Sequence, residues 1–88
     1  GNKPGVAGSG QTVVYPNPAN GLLFVDAKTE EALDAEILDL TGRVAGRFQS
    51  TDFQGRLKIA THNLAAGTYI VRIKSAAHTT QQRVMIIH

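Results

Sequence analysis

The clearest signal along the chain is an alternation of apolar and polar positions with a period of two. In GTYIVRIK (Gly67–Lys74), Tyr69, Val71 and Ile73 share one face while Ile70, Arg72 and Lys74 occupy the other, as in a strand with one buried side. The same pattern sets Leu57 and Ile59 against Arg56 and Lys58. In the closing TTQQRVMIIH it sets Val84 and Ile86 against Arg83, Met85 and Ile87. GLLFVDA (residues 21–27) places Leu23 and Val25 opposite Leu22 and Phe24. LDAEILDL (33–40) aligns Leu33, Ala35 and Ile37, with Leu38 and Leu40 implying partial burial of its second face. RVAGRF (43–48) and residues 12–15 add two shorter runs. Turn signals separate these runs at roughly the 8–12-residue spacing of β-sandwiches, so the pattern predicts an all-β antiparallel fold. TEEALDAEILDL (29–40) also fits a helix, with Thr29 as cap and Ala, Leu and Glu as good helix formers. Asp34 and Asp39 interrupt its apolar stripe, no helix stop precedes Thr41-Gly42, and every neighbouring run is β, so the strand reading is preferred.

VVYPNPANG (13–21) carries two prolines one residue apart. Each lacks an N–H and fixes φ, and each pushes its predecessor, Tyr15 or Asn17, away from helix. In an extended segment both missing donors fall along one side, which predicts an edge strand that pairs on the other side only. Asn20-Gly21 reads as a turn. The stretch therefore marks where the β-domain, residues 12–88, begins. Residues 1–11 hold four of the nine glycines and one proline, the composition of a flexible linker, whether native or an engineered remnant.

Composition narrows the function. A chain of 88 residues makes one domain. It has no cysteine, which excludes disulfides and thiolate metal sites, and no tryptophan. With two Tyr and three Phe and a net charge of +2, it lacks both the stacking surface and the electrostatic footprint of a nucleic-acid binder. No apolar run approaches the roughly 20 residues of a membrane-spanning helix. His62, His78 and His88 are scattered over turn and terminal positions without metal-ligand spacing. Glu30, Glu31 and Asp34 read as a solvated acidic face, and Ser9, Ser50 and Ser75 have no histidine partner at a suggestive spacing. Asn17 and Asn20 suit turns better than ligation. The inventory predicts no enzyme, no cofactor and no small-molecule substrate.

Three features stand out: YPNP at Tyr15, Pro16, Asn17 and Pro18; DLTGR, where Asp39 and Gly42 frame a tight hairpin turn; and LAAGTYIVRI (64–73) followed by a terminal RVMII. In this order they resemble the C-terminal sorting domain (type A) of cargo proteins of the type IX (Por) secretion system, which crosses the outer membrane of Bacteroidota. The resemblance covers residues 13–88. Arg83 stands where lysine is usual, and His88 where a terminal lysine or arginine is usual.

The resemblance implies an immunoglobulin-like sandwich of about seven strands that acts as an address. Its partners would be a covalently fused N-terminal cargo, the translocon, and a sortase-like surface peptidase that clips the domain off. The cargo would pass through the periplasm and end outside the cell or attached to the outer-membrane surface, joined to lipopolysaccharide. Ala7, Gly8, Ser9 and Gly10 are the expected cleavage region, because a protease needs an unpacked substrate strand. The part read by the machinery is expected in the last hairpin, 67–87: Gly67 in a conformation closed to other residues, Tyr69 anchoring the strand in the core, and Arg83, Val84, Ile86 and Ile87 forming the terminal motif. Arg72, Lys74 and Arg83 would make a basic solvent face, and exposed strand edges leave homodimer pairing open. The opening YPNP stretch is expected to serve as a boundary and not as part of the signal. An adhesive or carbohydrate-binding module is the rival from another class. It needs an aromatic platform or a calcium site, and the few aromatics are expected in the core. A spacer domain is the third reading. An end within a residue of the last apolar strand is what a sorting domain is expected to show.

Overall fold

Strands with one apolar face, in a chain this short, can leave water only by pressing two sheets together. The computed structural model describes residues 12–29, 31–50, 55–76 and 78–88. They form β1 (Val13–Tyr15), β2 (Leu22–Asp26), β3 (Asp34–Leu38), β4 (Val44–Gln49), β5 (Arg56–Ala60), β6 (Gly67–Lys74) and β7 (Thr79–Ile86). One sheet has the order β1-β2-β5 and the other β4-β3-β6-β7, with antiparallel pairing throughout each.

The alternating residues meet between the sheets as expected. Leu23, Val25, Leu57 and Ile59 face Ala35, Ile37, Tyr69, Val71, Ile73, Val84 and Ile86 in one core. Full burial of side chains such as Leu23, Ile37, Ile59 and Ile86 stabilises the fold by about 1.5–3 kcal/mol each. Residues 34–38 are a strand and not a helix because β3 is central: it pairs with β4 on one side and β6 on the other. Glu36 then faces outward between two arginines, a polar position that a core-facing helical stripe would not accommodate.

Several local expectations need correction. The first strand, expected over residues 12–15, runs Val13–Tyr15 and pairs only with β2, an edge strand as expected, but both prolines that suggested it lie beyond its end. Asn20-Gly21 does not close a two-residue hairpin: Tyr15 pairs with Phe24, and residues 16–20 leave that sheet. Leu38 is nearly buried on the outer face of its sheet, flanked in register by Ile70 and Val44, whereas Leu40 is 65% exposed in the following turn. The larger sheet also extends past the smaller one. Thr80 and Gln82 point to the same side as Val84 and Ile86, yet one is half-buried and the other exposed.

Two turns rest on single residues. Gly55 has φ +67°, and a Cβ there would lie 2.1 Å from the Thr29 carbonyl oxygen. Its own N–H and C=O tie it to Glu31 and Ala27. Thr61 is fully buried and its backbone bonds Gly21 and Leu64, but its hydroxyl has no partner among the described residues. Urea denaturation should therefore separate two variants. Thr61→Val removes an unpaired buried hydroxyl and is expected to raise unfolding free energy by about 1 kcal/mol. Gly55→Ala combines backbone strain with a clash and is expected to lower it by about 2 kcal/mol or more.

Candidate functional site

After β1 the chain crosses from the three-stranded sheet to the outer edge of β7. The Tyr15-Pro16 and Asn17-Pro18 peptide bonds are both cis. Even-numbered residues of β7 bond to β6, so the backbone groups of Arg83, Met85 and Ile87 face outward. Residues 17–19 meet them. The Met85 N–H donates to Asn17 Oδ1 at 2.9 Å, and Asn17 Nδ2 reaches the Arg83 carbonyl at 3.5 Å. Ala19 N–H donates to the Met85 carbonyl at 2.8 Å, and Ile87 N–H donates to the Ala19 carbonyl at 2.9 Å. Ala19 and Ile86 form a parallel bridge, and both are fully buried.

The Asn17 side-chain amide thus takes the place of a peptide group on the strand edge. Pro16 and Pro18 flank it, exposed, and bring no N–H that needs a partner. The expected boundary marker is bonded directly to the terminal RVMII run, so the two outer motifs of the chain are one structural unit. Sequence reading missed this because the pairing is a side chain with a strand more than sixty residues away. It also missed Ala19, whose only sign was small size beside a turn.

The terminal residues are held from the other side as well. His88 Nε2 lies 2.5 Å from the Leu64 carbonyl, a contact in which the ring nitrogen donates. Tyr69, buried in the core as expected, donates its hydroxyl to the Ala65 carbonyl at 2.6 Å. Both bonds converge on the loop before β6, so a donor at the last position pins the tail. Gly67, at the start of β6, has φ +153°. Val84 and Ile86 are buried, while Arg83 and Ile87 are exposed.

The turn between β3 and β4 is organised by one carboxylate. Asp39 Oδ1 accepts from the Thr41 N–H at 2.9 Å, the Thr41 hydroxyl at 2.5 Å and the Arg43 N–H at 3.0 Å. Gly42, at φ +90°, closes the turn with its N–H on the Asp39 carbonyl. The Thr41 hydroxyl bond, followed by the Arg43 N–H bond, holds the Asp39 carboxyl below its ordinary value. The role of Thr41 escaped the sequence reading, although an Asp two residues before a Thr is the recognisable sign of such a side-chain turn.

Outside these contacts the surface differs from expectation at two places. Arg72 is not a free cation. Its Nη1 lies 3.4 Å from Glu36 Oε1, and Arg47 Nε lies 3.3 Å from Glu36 Oε2, because Glu36 stands opposite both in register. Lys74 and Arg83 have no ion-pair partner among the described residues. Tyr15 is not a core residue either: it is 48% exposed and stacks on Phe24 with ring centres 5.6 Å apart. His62 and His78 are exposed, and no group of three His, Asp or Glu able to hold a metal occurs among the described residues. The expected cleavage residues Ala7, Gly8, Ser9 and Gly10 lie outside the described residues.

A family described as "Secretion system C-terminal sorting domain" matches residues 13–87. No curated protein matches the chain. Among solved structures, a DUF3244-family protein with an immunoglobulin-like β-sandwich fold from Bacteroides vulgatus is similar over 84% of this chain and 82% of its own, with TM-score 0.67 and 18% identity. CopC from Methylosinus trichosporium is similar over 85% of this chain and 90% of its own, with TM-score 0.53 and 16% identity. These likenesses concern the fold, which is an immunoglobulin-like sandwich.

The edge contact and the Asp39 turn each carry a measurable expectation. Asn17→Ala removes an acceptor and a donor from the β7 edge and should lower unfolding free energy by about 1 kcal/mol. The folded chain depresses the Asp39 carboxyl, so it binds fewer protons than the unfolded chain as acid is added. The contribution of this group is then complete above the unfolded value near 4 and lost as pH falls through the lower, folded value. Denaturation midpoints are expected to hold from pH 7 to about 5 and drop below about 4, with a shallower drop in Asp39→Ala.

Proposed function

The chain belongs to the family of C-terminal sorting domains of type IX secretion, and from that premise we propose that it carries a fused N-terminal cargo out of the cell and is then removed. As a sorting signal of this kind it directs export across the envelope. The family match over residues 13–87 is the observation that carries the reading. The structure adds support, because the first and last family motifs meet at the edge of β7. A signal of this form is read as a folded object, not as a linear peptide. Sorting domains and immunoglobulin-like sandwiches are non-catalytic kinds of module, and we read this chain as one.

In this proposal the translocon engages the folded domain. A sortase-like peptidase at the surface then cuts within residues 1–11, in the region of Ala7, Gly8, Ser9 and Gly10, where small side chains admit a protease cleft. The released cargo remains at the cell surface, joined to lipopolysaccharide, or enters the medium. A second reading, adhesion to carbohydrate, draws on one observation: the half-exposed Tyr15 stacked on Phe24, with Lys58 in register beside it. Glycan-array binding by the chain, lost in Tyr15→Ala, would favour that reading.

The test joins the full chain to the C-terminus of a neutral secreted reporter in a bacterium with a type IX system. Reporter is expected outside the cell, and deletion of residues 84–88 is expected to strand it in the periplasm. Periplasmic retention of the intact fusion would overturn the export reading. N-terminal sequencing of the severed domain is expected to place the cut before Thr12, and a fusion that stays uncut at the surface would remove the cleavage step.

A further inference from the structure

We propose that the uncovered part of the β7 edge, residues 79–83, is where an extended strand of a partner protein adds to the domain. The inference rests on the sorting reading and narrows it to one edge.

A β-sandwich has four strand edges, and three of them here are blunted in ways that discourage pairing with another chain. β1 is three residues long and runs into Pro16. β4 is bulged, since Ile37 pairs with Gly46 but Leu38 with Val44, leaving Ala45 as the extra residue. β5 carries the cations Arg56 and Lys58 along its short length. The fourth edge, β7, is covered by residues 17–19 only from Arg83 onward.

Before that point the strand reads Thr79, Thr80, Gln81, Gln82, Arg83, with no proline, no bulge and a regular register against β6. The odd positions face outward, so the N–H and C=O of Thr79 and Gln81 and the N–H of Arg83 point at solvent. The segment also stands past the opposite sheet: of these five residues only Thr80 is half-buried and the rest are exposed. A partner can therefore reach its edge and both of its faces.

The occupant is an extended segment of another protein and not a second copy of this chain. Self-pairing about Gln81 would join two short polar edges with no apolar side chains between them, without the apolar centre that holds stable interfaces together. Arg83 has no ion-pair partner among the described residues, so the incoming strand is expected to carry a carboxylate beside it. Backbone bonds would supply affinity, and that charge would fix the register.

Proline at an outward-facing position removes a donor the fold does not use, while obstructing an added strand. In the reporter fusion, Gln81→Pro and Thr79→Pro are each expected to keep a wild-type melting temperature within a few degrees and to cut export by about tenfold. Gln81→Ala, which leaves the backbone donor in place, is expected to stay within about twofold of wild type. Normal export of the folded proline variants overturns the proposal. So does equal loss in Gln81→Ala, which would make the side chain the recognised group. A wild-type domain that sediments as a dimer, and as a monomer after Gln81→Pro, also overturns it. If both prolines unfold the chain, Arg83→Glu decides: reduced export supports the proposal and unchanged export overturns it. Failure of the unmodified fusion to leave the cell would instead count against the sorting reading itself.

Discussion

Four hydrogen bonds between residues 17–19 and the outer edge of β7 hold the beginning and the end of this domain together. The last strand sits at the margin of the larger sheet, where it pairs on one side with β6 and would otherwise show bare backbone on the other. Asn17 and Ala19 satisfy that backbone over the stretch where Val84 and Ile86 enter the core. The edge beside those two side chains is thus completed by the segment that links β1 to β2, outside either sheet's strands. The crossing leaves few donors unmet: Pro16 and Pro18 bring no N–H, Asn17 bonds the strand edge through its side chain, and Ala19 does so through its backbone.

The same constraint shapes how the domain can act as an address. Its terminal residues are bonded on one side by the 17–19 segment and on the other by the loop before β6, through His88 and the Leu64 carbonyl. A partner therefore meets a fixed surface. Electrostatics are secondary in this arrangement. The Glu36 pairs with Arg47 and Arg72 lie at the surface, where such contacts contribute between about 0 and 1 kcal/mol. Their larger effect is to cancel charge on the outer face, leaving Lys74 and Arg83 without ion-pair partners among the described residues.

Most of the architecture was legible in the residue pattern. Period-two alternation located the strands within a residue or two and grouped Leu23 with Val25, Val84 with Ile86, and Ile37, Ile59 and Val71 with their face-mates, on the faces that the structure buries. The Asp39 and Gly42 turn was legible because its bonds run between near neighbours. Arg72 was misjudged as free because its partner Glu36 lies thirty-six residues away, brought opposite only by the register of β3 and β6. The aromatics were expected in the core because they are few, and Tyr15 departs from that because a count says nothing about which face of a strand a residue takes.

The sequence by itself determined which positions alternate, where the Asp39–Gly42 turn forms, and that the first strand lies at an edge, since these follow from side-chain polarity and local backbone sterics. Tertiary structure alone decided what the proline segment does. Its hydrogen-bonding partner is a strand at the far end of the chain, and no local preference of Asn17 or Ala19 specifies which distant edge they will complete. That depended on the larger sheet placing β7 at its margin, within reach of the chain as it leaves β1.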